Sequence, residues 1–270
     1  MIRDITIGQY YPAKSVLHRL DPRVKLVGTL LYLISLFLFN SIPGYVMTTL
    51  FLIIIIKMSR VPFSFIVRGL KPVIMLLMIT VLFNLFLTRD GAVLFHAWIF
   101  TITEGGLRTA VYMAIRLIYL IIGSSLMTFT TTPNELTDGI EELLGPLNKI
   151  HVPVHEIAMI MSIALRFIPI LLEETDKIMK AQIARGADFE SGNIFKRAKA
   201  MVPLLVPLFI SAFRRANDLA MAMEARCYRG GEGRTKMKPL IYHKRDYIAY
   251  GCIAAYMVIS IVVGRLPFLP

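Results

Sequence analysis

The chain has 270 residues, of which 56% are hydrophobic and only 18% are charged, and its formal net charge is +12. This composition excludes an ordinary soluble domain, in which about 25% of residues are charged. Several uncharged runs approach the roughly 20 apolar residues that a membrane-spanning helix needs. The sequence therefore predicts an all-α integral membrane protein with about five transmembrane helices, and its positive charge is first of all a topology signal.

Residues 1–131 are predicted to form an N-terminal membrane domain with four spans. The run 26–56 carries no charge and is too long for one helix in a hydrocarbon core of about 30 Å. We therefore expect the Pro-Gly pair at 43–44 to divide it into two spans joined by a tight turn, with a short second span. A third span is predicted over 72–88 and a fourth over 109–129.

Arg116 interrupts the fourth predicted span. One interpretation is an intramembrane functional site, which is the usual meaning of an ionisable residue at membrane depth. The other is an arginine that faces a neighbouring helix or extends its head to the interface. The sequence leaves both open.

Charges return throughout residues 132–240, which predict a separate region of helices. A short helix is expected over 134–144, and a long one over 154–187, bent at Pro169. A second long helix is expected over 203–229, ended by the glycines that follow. The apolar runs of this region, 157–165 and 201–213, are predicted to be too short or too interrupted by proline to cross a membrane.

A final span is predicted over 247–264, within the C-terminal segment 241–270. The distribution of basic residues then gives the orientation. Five spans with the N-terminus inside put the basic loops on one face, which the positive-inside rule assigns to the cytoplasm. The region 132–240 is thus predicted to be cytoplasmic. Four basic residues fall elsewhere: Arg89, Arg108, Arg116 and Arg265.

Two short boxes share one pattern, Ala-x-x-Ala-Arg-small, at 181–186 and 222–227. A cation in the last turn of a helix is favoured by the helix dipole alone, but the repetition indicates a second role. Small neighbours flank each arginine, so the helix tip can enter a groove where a guanidinium makes bidentate hydrogen bonds. We therefore predict two similar docking points at Ala184, Arg185 and Gly186 and at Ala225, Arg226 and Cys227.

Ala212, Ala216 and Ala220 recur every four positions along the second long helix. Small residues at this spacing let two helix backbones approach closely. The stripe predicts that the two long helices cross, with most of the alanines used in packing within the chain.

The sequence offers little sign of catalytic chemistry. It contains no phosphate-binding loop of the Gly-x-x-x-x-Gly-Lys-Ser/Thr type. His151 and His155 have a spacing that suits a metal on a helix, but Pro153 lies between them and no third ligand is near. We predict no catalytic residue, no metal and no cofactor.

The two boxes resemble the two Ala-Arg-Gly motifs of the transmembrane T component of energy-coupling factor (ECF) vitamin transporters. The segment from Ser15 to Leu26, SVLHRLDPRVKL, is similar to that family's N-terminal signature. The segment from Ala164 to Pro169, ALRFIP, followed by the first box, resembles its coupling-helix segment. The resemblance covers nearly the whole chain, and Cys227 stands where the family usually has glycine.

The resemblance implies a non-enzymatic scaffold of an ABC-type transporter. Such a scaffold joins two cytoplasmic ATPase subunits, which hydrolyse ATP, to a membrane-embedded substrate-binding (S) subunit. Arg185 and Arg226 would each dock into one ATPase, and the helix-crossing region around Ala212, Ala216 and Ala220 would contact the S subunit. The length and character of the chain are more similar to T components that serve several exchangeable S subunits.

Two alternatives from other classes remain at this stage. An integral-membrane enzyme would need convergent polar groups and would turn over a substrate unaided. A stand-alone permease, with Arg116 lining a path, would bind its substrate without partner subunits.

Overall fold

The structure is a computed structural model that describes residues 10–88, 92–97, 100–189, 193–231 and 237–265. The basic residues Arg3, Arg89, Arg234 and Lys236 lie outside these ranges. The described chain divides into two compact units. The bundle unit takes its described residues from Gly8–Gly139 and Leu240–Pro270, and the two-helix unit takes them from Ile140–Pro239.

Almost all of the described chain is helical. In chain order the helices are α1 (Pro22–Ser35), α2 (Ile42–Ser59), α3 (Phe63–Leu70), α4 (Ile74–Leu87), α5 (Glu104–Thr130), α6 (Pro133–Leu144), α7 (Val154–Ala184), α8 (Ile194–Ala225) and α9 (Lys244–Arg265). Short 3₁₀ turns cover Leu17–Arg19, Lys71–Val73 and Gly145–Ile150. Two short antiparallel strands, β1 (Val93–Ala97) and β2 (Phe100–Thr103), form a hairpin between the third and fourth predicted spans.

Five helical segments of the described chain are long and apolar enough to cross a membrane. They are Ile42–Ser59, Phe63–Phe86, Glu104–Thr130, Val154–Ala184 and Lys244–Arg265. The predicted all-α membrane fold is confirmed, and the number of candidate spans equals the predicted one. The spans themselves differ in part. α7 is a candidate span that was not predicted. α1, which covers part of the first predicted span, is not a candidate, because its 14 residues extend only about 21 Å at 1.5 Å per residue.

The predicted turn at residues 43–44 is wrong. α1 ends at Ser35, the connection follows at 36–41, and α2 begins at Ile42. Pro43 therefore lies in the first turn of α2, where its missing N–H would have had no intrahelical acceptor. The second span is also longer than predicted, because α2 has 18 residues and continues through Lys57 to Ser59.

The prolines of the long helices are not breaks. The prediction that the run 157–165 is too short to cross a membrane is wrong by length and composition, because it belongs to the 31-residue α7, which continues through Pro169. α8 begins at Ile194 and continues through Pro203 and Pro207, nine residues before the predicted start. A proline removes one helical hydrogen bond and bends the helix, but apolar residues on both sides keep it folded.

Side-chain hydrogen bonds hold the centre of the bundle unit. The hydroxyl of Tyr256 contacts Ser35 Oγ at 2.9 Å and Thr48 Oγ1 at 3.3 Å. The hydroxyl of Tyr32 donates to the carbonyl oxygen of Tyr119 at 3.1 Å. Lipid tails are as apolar as the helix surfaces, so packing and such polar contacts, rather than burial from water, hold membrane helices together.

Arg116 is buried, with 8% of its surface exposed. Its Nη2 donates to the carbonyl oxygen of Phe39 at 3.4 Å, to Asn40 Oδ1, and to the Tyr45 hydroxyl at 3.2 Å. Arg116 therefore supplies donors to the α1–α2 connection, where helical hydrogen bonds are missing. Non-helical backbone within a membrane protein needs such partners, so Arg116 faces neighbouring elements of its own bundle.

We predict that Arg116→Leu destabilises the bundle unit, because the carbonyl oxygen of Phe39 and the hydroxyl of Tyr45, both in buried residues, lose their donor. An unpaired buried polar group costs about 1–3 kcal/mol, which corresponds to a fall of about 2–12 °C in the thermal midpoint of a unit of this size. The midpoint is measured on the detergent-solubilised protein. Arg108→Leu, on the exposed surface of the same helix, is the matched control and changes it little. Equal midpoints for the two variants would contradict this role for Arg116.

Candidate functional site: two matched helix ends

The first box forms the C-terminal end of α7. The helix ends at Ala184, and Arg185 is its C-cap. The N–H of Gly186 donates to the carbonyl oxygen of Ile183 at 2.9 Å, and the N–H of Ala187 donates to that of Gln182 at 3.0 Å. Gly186 has a φ of 86°. This pair of bonds around a left-handed residue is a Schellman motif, which satisfies the last carbonyls of the helix.

The second box forms the C-terminal end of α8 in the same way. α8 ends at Ala225. The N–H of Cys227 donates to the carbonyl oxygen of Glu224 at 2.8 Å, and the N–H of Tyr228 donates to that of Met223 at 3.0 Å. Cys227 has a φ of 57°. The two boxes therefore end in the same motif, bond for bond.

Arg185 and Arg226 occupy the same position in this motif, one residue after the last helical residue. Both side chains are exposed. None of the hydrogen bonds or ion pairs between described residues joins either guanidinium to another group. The sequence placed both arginines in a last helical turn, and the structure places them just beyond it, at the projecting tip. Five donors of each guanidinium are thus available to a partner.

The small residue after each arginine has a backbone role. A Cβ added to Gly186 would meet nothing within 4 Å, so lack of space does not explain the glycine. The left-handed conformation does, because it costs non-glycine residues roughly 1 kcal/mol or more. Cys227 adopts the same conformation with a side chain and bears that cost. The sequence motif of a small residue is therefore the signature of the helix cap.

α7 and α8 pack against each other as an antiparallel pair. The Glu174 carboxylate accepts from Ser211 Oγ at 2.5 Å and from Arg215 Nη2 at 2.8 Å. Farther along α7, Gln182 Nε2 donates to the carbonyl oxygen of Pro203 at 3.3 Å. Later positions of α7 thus meet earlier positions of α8. The two arginine tips consequently lie at opposite ends of the pair.

The alanine stripe lies between the two helices. Ala212, Ala216 and Ala220 line a cleft whose other side is formed by α7 residues Ile163, Phe167 and Leu171. The alanines therefore lie on the side of α8 that faces α7, and close approach of the two helices at this stripe stays a prediction. Ala216 and Ala220 nevertheless remain exposed.

The residue that sequence reasoning missed is Glu174. Its adjacent partner Glu173 is exposed, whereas Glu174 is partly buried and holds α8 through two side chains. The signal available in the sequence was the pair Ser211 and Arg215, which are four apart and so lie on one helix face. Only the register between the two helices, which the sequence does not give, brings that face to Glu174.

The two histidines are not brought together as ligands. His155 Nδ1 lies 2.8 Å from Glu141 Oε1, and His151 ends a 3₁₀ turn in the left-handed conformation. Among the described residues, no three His, Cys, Asp or Glu side chains are grouped as a metal site would require.

Comparison with known proteins agrees with this architecture. A family model described as "Cobalt transport protein" matches residues 13–237, so the chain is a member of a family of membrane transport proteins. It is 57% identical to the energy-coupling factor transporter transmembrane protein EcfT of Clostridium kluyveri over 97% of each chain. It is 52% identical to the EcfT protein of Bacillus subtilis over 91% of this chain and 93% of that one. The chain belongs to the EcfT family, the transmembrane components of energy-coupling factor transporters, as the sequence motifs indicated.

The shared cap geometry makes opposite predictions for the two boxes. Gly186→Ala puts a side chain into a left-handed position and loosens the end of α7 by about 1 kcal/mol. Cys227→Gly removes the same strain from α8. We expect faster amide hydrogen exchange at Ala187 in the first variant, and unchanged or slower exchange at Tyr228 in the second.

Gly145→Ala is the control for this pair, because a Cβ there meets nothing within 4 Å and its φ is not left-handed. The capping interpretation is wrong if Gly186→Ala speeds exchange at the amide of Ala187 no more than Gly145→Ala speeds exchange at the amide that follows position 145.

Proposed function

We propose that the chain is the non-catalytic coupling scaffold of an ECF-type ABC transporter. It links two cytoplasmic ATPase subunits to a membrane-embedded S subunit and transmits ATP-driven motion for the uptake of vitamins or similar micronutrients. One observation carries this proposal: two identical helix caps present exposed arginines at opposite ends of one helix pair. Membership of the EcfT family supports it.

The distance between the arginine tips favours two partners over one. From the contact at Pro203 to Arg226, α8 extends about 34 Å at 1.5 Å per residue, less any bend at its prolines. One docking groove cannot receive both tips over such a distance. Two copies of a similar ATPase, or two related ATPases, can each receive one tip in the same way, because the caps are alike.

Docking would bury each guanidinium in a groove lined with carboxylates or backbone carbonyls. Arginine is suited to this task because its planar fork makes bidentate hydrogen bonds and it loses less hydration than lysine. The alanine before each arginine and the glycine or cysteine after it leave the tip narrow. Residues of this kind at the centre of an interface carry much of its binding energy.

The tie between α7 and α8 would make the pair respond as one body. Glu174 accepts hydrogen bonds from one charged and one neutral donor of α8. Because Arg215 and Glu174 are partly exposed, solvent screening limits the contribution of this ion pair to about 1 kcal/mol or less. Movement of one tip would then be passed to the other helix. Such transmission is what a coupling scaffold requires.

The S subunit would meet the apolar surface of this helix pair. Ala216 and Ala220 are exposed beside the cleft, and Phe209 and Phe213 of α8 are 63% and 64% exposed. Exposed apolar surface of this extent marks an interaction site. A surface built of alanine and phenylalanine, without fixed polar partners, is compatible with exchange among several S subunits.

The proposed location is the cell membrane, with the N-terminus and the two-helix unit on the cytoplasmic side. α7 is long and apolar enough to cross a membrane, but in this proposal it lies along the cytoplasmic side, with the basic residues of its region. The basic residues support this orientation, since lysine and arginine are retained on the cytoplasmic side. The ATPases would reach both caps there.

We predict that Arg185→Ala combined with Arg226→Ala leaves the protein folded and inserted but abolishes ATP-driven uptake, because neither tip can hold an ATPase. Uptake of a panel of radiolabelled water-soluble vitamins is measured in proteoliposomes, together with copurification of the ATPases. Each single variant should weaken retention of one ATPase.

Arg214→Ala is the matched control, because Arg214 is exposed on α8 between the two tips, about 18 Å along the helix from Arg226 at 1.5 Å per residue. Full transport by the double variant, or equal loss in the control, would refute docking through the caps.

A further inference from the structure

The N-terminal signature forms a charged cluster at the start of α1. Asp21 is the N-cap of α1 and is 7% exposed. Its Oδ1 accepts from the backbone N–H and the Nε of Arg23 at 2.9 and 3.0 Å, and its Oδ2 accepts from Arg23 Nη2 at 3.0 Å. Burial alone would raise the pKa of Asp21, but hydrogen bonds and charge from Arg23 bring that pKa below its usual value. The pair is therefore ionised at neutral pH.

Arg23 also binds the segment that leads into α9. Its Nη2 donates to the carbonyl oxygen of Leu240 at 3.0 Å. Its guanidinium carbon lies 3.9 Å from the centre of the Tyr242 ring, which is cation–π geometry. The arginine thus holds this segment through one backbone atom and one ring.

Asp246 completes this connection from the side of α9. It is fully buried. Its two oxygens accept from the N–H of Asp21 at 2.9 Å and from the N–H of His243 at 2.8 Å. One carboxylate thereby joins the first residues of α1 and α9.

Lys25 holds the other end of the cluster. Its Nζ donates to the carbonyl oxygen of Thr130, the last residue of α5, at 2.8 Å, and to that of His18 at 3.3 Å. Burial lowers the pKa of Lys25 to about 8, while nearby carboxylates, first Glu135 and then Asp21, act in the opposite sense. Most of its charge is retained at neutral pH.

One of these contacts, at Leu240, lies where the chain returns to the bundle unit. The other, at Thr130, holds the end of α5 just before α6, and the chain leaves the bundle unit within α6, after Gly139. Residues 21 to 25 therefore hold the chain at its return and at the segment that leads to its exit. We propose that Asp21, Arg23 and Lys25 form a clasp that fixes both connections to the bundle unit, so that displacement of the two-helix unit is transmitted rather than absorbed by loose chain.

The chemistry of the clasp fits this role. Apolar packing would stabilise the helix ends at lower cost in desolvation, but apolar contacts slide. Directional hydrogen bonds to single carbonyl oxygens, at Thr130 and Leu240, hold the connections at fixed positions. Their loss is expected to change coupling between the units more than stability.

The clasp rests on the proposed coupling function and is tested in the complete complex with its ATPases and S subunit. Arg23→Gln and Lys25→Gln are compared with Arg19→Gln, an exposed arginine of the same signature. Vitamin uptake and ATP hydrolysis are both measured in proteoliposomes, with the radiolabelled vitamin that the wild-type complex takes up best. We expect uptake per ATP to fall about three- to tenfold in the clasp variants, with ATP hydrolysis and assembly retained. Arg23→Lys should recover part of the loss.

A purely structural role would lower uptake, ATP hydrolysis and thermal midpoint together, and this outcome would overturn the proposal. The proposal would also be overturned if the clasp variants took up as much vitamin per ATP as Arg19→Gln does. If Arg23→Gln does not fold, Tyr242→Leu decides, because it removes the ring from beneath the guanidinium and leaves the charges in place.

Amide hydrogen exchange gives a readout independent of transport. Release of the clasp should speed exchange at His243 and in the segment after Thr130, and should leave α7 unchanged. Unaltered exchange at both connections would refute the clasp. A wild-type complex that lacks ATPases or takes up no vitamin would instead refute the proposed function, and the exchange result would still decide on the clasp.

Discussion

Every helix that ends in solvent leaves its last carbonyl groups without intrahelical donors, and this constraint shapes the candidate site. α7 and α8 meet it with the same cap, which needs a left-handed residue directly after the C-cap. The residue before that position is arginine in both helices, and both arginines are exposed. The cap thus ends the helix and leaves a guanidinium accessible beside it. The tie at Glu174 fixes how the two tips are arranged, because it sets the antiparallel register of their helices.

The bundle unit meets the same constraint by other means. Where α1 ends, Arg116 donates to Phe39 and Asn40, and where α5 ends, Lys25 donates to Thr130. At the start of α9, Asp246 accepts from His243. Charged side chains are thus used at helix ends, where backbone groups lack partners, while hydroxyl groups link the helices at the centre. Burying a charged side chain is costly. In this unit the buried charged side chains lie where backbone groups form hydrogen bonds with them, which offsets that cost.

Hydrophobicity was enough to predict the membrane class, and the repeated boxes together with the segments 15–26 and 164–169 were enough to predict the family. The docking role of the two arginines stays a prediction. The sequence patterns failed where proline was taken for a turn or a helix start: Pro43 opens α2, and Pro203 lies inside α8. The long helix that continues through Pro169 was predicted. Local sequence gives the cost of a proline but not the packing that offsets it. The sequence also could not predict which residues bind Glu174 and Asp21. These partners depend on which residues two distant segments bring together, and no periodicity within one segment records that register.

The antiparallel arrangement of α7 and α8 has a mechanical consequence. Loads applied at opposite ends of a stiff pair add to a translation when they point the same way, and to a torque when they oppose each other. With the Glu174 tie between the ends, each tip acts on a lever arm of roughly half the length of the pair. Opposite loads applied across the axis of the pair at its two tips would therefore turn it about its middle, and a load across the axis at one tip alone would tilt it.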